Sequence, residues 1–333
     1  MGMHEHPFDS VQRISRRMFL AATAGTAMLA GIPGFVQDAF AEKPAAQPTV
    51  GKTVPVGDFS VIPLFDGPHS YDLKLFYGAD EAALLKIAGT QPVPAAYNVF
   101  LIKRGTERLL IDTGNGTLRP DRTGQLPLCL HQAKTAPEGI SKILITHLHG
   151  DHAGGLVKND KPAFPKAKVY VAKTEYAYWT NEESVRQAPE HRRGLFPLIQ
   201  NVLRVLEQSK LLFFFTPGDM VSPNIMSADL AGHTPGHTGF MLSSDGKELF
   251  FVGDLLHGAA LQMSRPDITF DADVDQPKAK EIRLRMFKQL AEAKTPIAGT
   301  HLPFPGIGLI QAEGDGYKLH TGVTREQSGG KPG

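Results

Sequence analysis

From residue 58 onward the apolar positions fall into short runs bounded by turn residues. FSVIPLF (59–65), YNVFLIK (97–103), RLLIDTG (108–114), KILITH (142–147) and KVYVA (168–172) are apolar and rich in β-branched or aromatic residues. Runs of this length and composition predict strands. A second set follows: LLFFFT (211–216), NIMSADLAG (224–232), GFMLSS (239–244), KELFFVG (247–253) and PIAGTH (296–301). Between and after them, segments 174–187, 195–208 and 277–294 show helical spacing. In the last, Ile282, Met286, Leu290 and Ala293 recur at three and four, with Pro277 near its start. Two strand-rich halves with helices between them predict two sheets packed face to face, with helices outside. No repeat of 20–50 residues is present.

The first forty residues follow another pattern. SRRMFLAATAGTAMLAGIPG places Arg16 and Arg17 before a modest apolar run, and AFA at 39–41 offers small residues at cleavage spacing. The run is too short and weak to span a bilayer, so residues 1–41 are expected to be a twin-arginine signal peptide. The protein is then periplasmic or secreted. Residues 42–57 are rich in Pro, Ala and Gly and predict a linker, with one domain over 58–333.

Charge and cysteine content narrow the chemistry. Lys+Arg number 35 against 34 Asp+Glu, which argues against nucleic acid as a partner. Cys129 is the one cysteine, so neither an intrachain disulfide nor a cysteine zinc knuckle can form. It predicts a buried, inert thiol. GNG at 114–116 is a tight turn, since no Lys-Ser/Thr follows it to cradle phosphate.

The histidines carry the candidate chemistry. THLHGDHAGG (146–155) sets His147, His149, Asp151 and His152 just after a predicted strand. Alternation along a strand lets His147 and His149 converge, while Gly150 turns Asp151 and His152 toward a neighbouring point. Imidazole and carboxylate are ligands zinc-like ions accept. His237 in AGHTPGHTG, Asp254 after KELFFVG and His301 after PIAGT each end a strand-like run. One ion would take His147, His149 and His237, and the other Asp151, His152 and His301, with Asp254 bridging. His233 is expected in a loop or behind the ligands, and the other histidines, His69 among them, at surface or structural positions. Two divalent ions, zinc by default, would lower the pKa of a bridging water to about 7, giving a hydroxide nucleophile. Asp151 or Asp254 would accept its proton.

The order HxHxDH, HTPGHT, VGD and a late histidine closely resembles the metallo-β-lactamase superfamily. LLIDTG, VGDLL and THLPFPGIGLIQAEGDGY (300–317) resemble methyl parathion hydrolase and its periplasmic relatives in particular. The resemblance runs from about Phe59 to Tyr317. It implies an α/β fold, a four-layer αβ/βα sandwich with the two-metal site at one edge. It implies that Asp112 braces the metal loop and that Trp179 and Phe196 are pocket aromatics. His257 stands where lactonases of the superfamily place a substrate-contacting Tyr, and is expected to donate a hydrogen bond to a developing oxyanion. The function implied is hydrolysis of esters or lactones, with organophosphotriesters as further substrates. A glyoxalase II-type thioesterase and a β-lactamase are the alternatives. The partners expected are a small-molecule substrate and the twin-arginine export machinery, with a homodimer left open.

Overall fold

The computed structural model describes residues 49–117 and 123–321. The expected signal peptide, residues 1–41, lies outside them. The described residues all fall in one compact unit, Pro44–Gly333.

Strand alternation builds the core directly. Along Leu109–Leu110–Ile111, the outer two side chains point one way and Leu110 the other. Phe251 likewise faces away from Phe250 and Val252. Both faces of each sheet are therefore apolar, and each sheet needs cover on both sides. The first sheet has eight strands and the second seven. They meet across a central layer of Val61, Phe100, Ile102 and Ile111 from one and Phe240, Leu242, Leu249 and Phe251 from the other. The rings of Phe100 and Phe251 touch across it, 5.4 Å between centroids. Each such buried side chain contributes roughly 1.5–3 kcal/mol. Helices Leu126–Gln132, Lys173–Thr180 and Leu195–Gln208 cover the outer face of the first sheet. Helix Gln276–Ala293 covers that of the second through Ile282, Phe287 and Leu290. The result is the four-layer αβ/βα sandwich.

Three expectations need correction. Residues 49–57 are not a linker: Thr49–Val50 and Val54–Val56 pair antiparallel with strand Phe59–Tyr71. LLFFFT belongs to the first sheet, because Leu212–Phe215 pairs parallel with Lys168–Ala172. Segment 174–187 is two helices, Lys173–Thr180 and Glu182–Gln187, separated at Asn181, whose side chain accepts the Glu183 N–H. Among the described residues no helix is long and apolar enough to cross a membrane.

The site follows from topology. Strand Glu107–Ile111 runs parallel to Lys142–Leu144, and Lys247–Gly253 runs parallel to Ile297–Gly299. Asp112, His147, Asp254 and His301 all lie just beyond the carboxyl ends of these strands, the edge where open α/β sheets place their ligands.

Candidate metal centre

Asp112 is where the site begins. Its backbone is left-handed at φ 61°, a region aspartate adopts more readily than most residues, and side-chain hydrogen bonds to the 146–152 loop hold it there. Oδ1 accepts the Thr146 N–H at 2.8 Å, and Oδ2 accepts Thr146 Oγ1 at 2.8 Å. Oδ2 also lies 2.7 Å from His152 Nδ1. This contact fixes the ring so that Nε2 faces inward, as expected for a residue that orients a metal ligand.

The inward nitrogens and carboxylates converge in two groups. In the first, His147 Nε2 lies 2.9 Å from His149 Nδ1, which lies 3.0 Å from His233 Nε2. Asp254 Oδ2 stands 3.6 Å from His147 Nε2 and 3.3 Å from His233 Nε2. In the second, Asp151 Oδ2 stands 3.9 Å from His152 Nε2 and 3.5 Å from His301 Nε2. Asp254 reaches this group as well, with Oδ1 3.0 Å from His152 Nε2 and Oδ2 3.0 Å from His301 Nε2. Both groups form metal-compatible clusters, and Asp254 stands between them.

These residues fit divalent ions. Ligand atoms about 2.0–2.2 Å from one tetrahedral ion stand about 3.3–3.6 Å apart, close to the spacings found. Buried His152 Nε2 and Asp254 Oδ1 have no hydrogen-bond partner, although they face each other at 3.0 Å. Orphaned buried acceptors are costly unless something satisfies them, and a cation shared by both would do so. Burial and the neighbouring His152 hold His147 well below the usual imidazole range, and burial with His233 does the same to His149. Both are thus neutral, with a lone pair to give. Burial works against charge on Asp254, but the surrounding histidines outweigh it and keep its carboxyl well below the ordinary range.

His233, not His237, completes the first group. The Asp254 N–H donates to His237 Nε2 at 3.0 Å, so that nitrogen must accept. His237 Nδ1 lies 3.0 Å from the Leu230 carbonyl and must donate. Both nitrogens are committed and no lone pair is left for an ion. Burial and His233 keep this ring neutral, with its pKa lowered to about 3. His237 instead holds the turn that presents Asp254. Gly253 makes the close approach possible: its φ is 50°, and a Cβ there would lie 2.6 Å from His237 Nε2. His233 is turned the other way by Asp273, whose Oδ1 takes Nδ1 at 2.9 Å and leaves Nε2 facing the cluster. Burial disfavours charge on His233, but Asp254 and Asp273 outweigh it and raise its pKa to about 9. The same carboxylates would favour a metal cation at that nitrogen. Asp273 is held in turn by Arg283, buried in helix Gln276–Ala293, at 3.5 Å.

His257 stands against Asp254 on the cavity wall. Its Nε2 lies 3.1 Å from Asp254 Oδ2, an atom that can only accept. Burial dominates its titration and lowers its pKa to about 4, so the ring is neutral. With the one proton on Nε2, Nδ1 is a bare acceptor, buried and without a partner. The ring stacks on Phe270, 4.0 Å between centroids. His257 therefore packs against Asp254 beside His301, whose Nε2 lies 3.0 Å from the same oxygen, and these three residues form a further metal-compatible cluster.

A cavity of about 340 Å³ opens on the clusters, bordered by His149, Asp151, His233, Asp254 and His301. Tyr71, Tyr97 and Phe270 line its aromatic side, and His257 shows it a ring face. His69, expected at a surface or structural position, lines it too and stacks on Tyr97. Trp179 and Phe196 do not. They pack against each other inside the first helical layer, 4.7 Å apart, with the edge of Trp179 behind His149.

Two His/Asp clusters at the sheet edge of such a fold define a class, the metal-binding proteins built on an αβ/βα sandwich. Residues 93–299 match the Metallo-beta-lactamase superfamily, and the chain belongs to it. The chain is similar to the solved structure of hydrolase AbOPH of the beta lactamase superfamily, with 29% identity and a TM-score of 0.76, covering 80% of this chain and 95% of that one. It is equally similar to AidC, a dizinc quorum-quenching lactonase solved with the product N-hexanoyl-L-homoserine, with 29% identity, a TM-score of 0.77, and coverage of 82% and 97%. An atrochrysone carboxyl ACP thioesterase from Aspergillus chevalieri is 27% identical over 165 residues, 48% of this chain and 40% of that protein. The chain spans well under half the length of such curated relatives.

Proposed function

We propose that this protein is a metal-dependent hydrolase that cleaves carboxylic esters or opens lactones. The observation that carries this is the pair of clusters sharing Asp254 at the floor of an aromatic-sided cavity. His147, His149 and His233 would hold one divalent ion, Asp151, His152 and His301 the other, with Asp254 between them. Zinc suits such a nitrogen and oxygen donor set. Two ions so held would supply Lewis acidity toward the substrate's carbonyl oxygen and bring the pKa of a water down to about 7.

The chain's own residues do the rest. Asp151, partly open to the cavity, would accept the proton of the attacking water. His237 and His257 hold Asp254 from its backbone and its side chain, so the ligand that joins the two groups does not swing. Tyr71, Tyr97 and Phe270 would bury the apolar part of a substrate and exclude water from it. No serine or cysteine nucleophile is required, and Cys129 is buried away from the site.

The lactonase neighbour supports lactones and carboxylic esters as the leading substrates. The thioesterase relative makes an acyl thioester the second class to try. Phosphotriester hydrolysis is a side activity of the same chemistry, and export through the twin-arginine route remains our reading of residues 1–41. The test is a panel of aryl esters, lactones, an acyl thioester, an organophosphotriester and a β-lactam. Lactone or ester turnover should exceed the others, and β-lactam turnover that leads the panel would overturn the assignment.

A further inference from the structure

Glu175 is a carboxylate in helix Lys173–Thr180, 1% exposed, with no part in the chemistry above. Four donors from three separate segments converge on it. Oε1 accepts the Leu148 N–H at 2.9 Å and the Trp179 indole N–H at 2.7 Å. Oε2 accepts the Thr234 hydroxyl at 2.7 Å and the Gly236 N–H at 3.0 Å. Leu148 lies between His147 and His149, and Thr234 follows His233. One side chain thus ties together the two loops that carry the three histidines of the first group. The approach is close: a Cβ on Gly236 would lie 2.3 Å from the Glu175 backbone nitrogen, so only glycine lets that turn reach the helix.

We infer that Glu175 is a positioning residue that sets the first metal group: it holds His147, His149 and His233 in register and so fixes the affinity for the ion they bind. This rests on the reading that these residues hold a divalent ion. The clamp is selective, because the second group is braced elsewhere. His152 is held by Asp112, and His301 Nδ1 lies 3.2 Å from the Ala96 carbonyl. A residue that only stabilised the fold would have no reason to act on one ion and spare the other. Charge-assisted hydrogen bonds from backbone N–H groups to a buried carboxylate are strong and directional, which suits a clamp.

Glu175→Gln keeps the volume but turns an NH2 group toward a pair of donors. Its metal content is followed against graded chelator, together with the visible spectrum of the cobalt-substituted protein and thermal unfolding. Wild type should hold two ions. Glu175→Gln should stay folded, keep one ion, and release the other at a chelator concentration about 10–100-fold lower, the range for losing a partner behind a metal ligand. Its cobalt spectrum should change accordingly. Trp179→Phe removes one donor but leaves both loops tied, and should release its ions nearly as wild type does. If Glu175→Gln does not fold, Thr234→Val removes the tie beside His233 and leaves only the Gly236 N–H holding that loop, and should release one ion at a lower chelator concentration than Trp179→Phe does. Release of both ions at wild-type chelator concentration, with only the unfolding temperature lowered, would overturn the clamp. A wild-type protein that holds no ion would instead overturn the metal reading beneath it.

Discussion

His233 and His237 lie four residues apart in one motif, yet only His233 turns a free nitrogen to the cluster. The difference is set by partners: Asp273 takes the outer nitrogen of His233, while Leu230 and the Asp254 backbone use both nitrogens of His237. His233→Ala should therefore lose one metal ion per chain. His237→Gln, which can still donate and accept, should keep both. Metal counting on the two folded variants decides between them. His257→Leu removes the brace on Asp254, and metal affinity should fall about 10–100-fold. Ester turnover cut by about 100-fold with metal fully retained would instead restore His257 as an oxyanion donor. The HxHxDH stretch was legible because its spacing brings His147 and His149 to one point and Asp151 and His152 to a neighbouring one. The choice between His233 and His237 was not, since spacing says nothing about which partners each ring finds. Glu175, Asp273 and Arg283 left no local signal, because each reaches the site from a distant segment.

Elements were legible where period and length agreed. Helix Leu195–Gln208 carries its apolar stripe plainly, and nearly every expected strand forms. Assignment of a strand to a sheet was less visible. LLFFFT reads as a strand in either sheet, and only its parallel pairing with Lys168–Ala172 decides. Strands Thr49–Val50 and Val54–Val56 are too short for a period, and their Pro and Gly neighbours read as linker. Helices Glu81–Ala88 and Leu126–Gln132 are likewise only about two turns long. Trp179 and Phe196 show how an aromatic near a site can belong to the layer behind it. Phe196→Ala should cost about 3–5 kcal/mol of stability, as large cavities in cores do, while leaving KM for a small ester unchanged. A raised KM with unaltered unfolding would return Phe196 to the substrate pocket.

Across the whole molecule, two sheets carry their catalytic candidates at one shared edge, with helices outside both. The core lies between and outside the sheets, and the candidate ligands stand beyond the strand ends. Changing Arg16→Lys together with Arg17→Lys should retain the protein in the cytoplasm, and N-terminal sequencing of exported wild type should begin near Glu42. Unimpaired export of the double variant would point to another route. If the two His/Asp groups hold metal and this metal carries the hydrolysis, turnover must follow metal content. The direct measurement is turnover of an ester and a lactone on protein whose metal has been counted, before and after chelation and after zinc is restored. Two ions per chain are expected, with activity lost on their removal and recovered on their return; full turnover by metal-free protein would rule out metal-based hydrolysis.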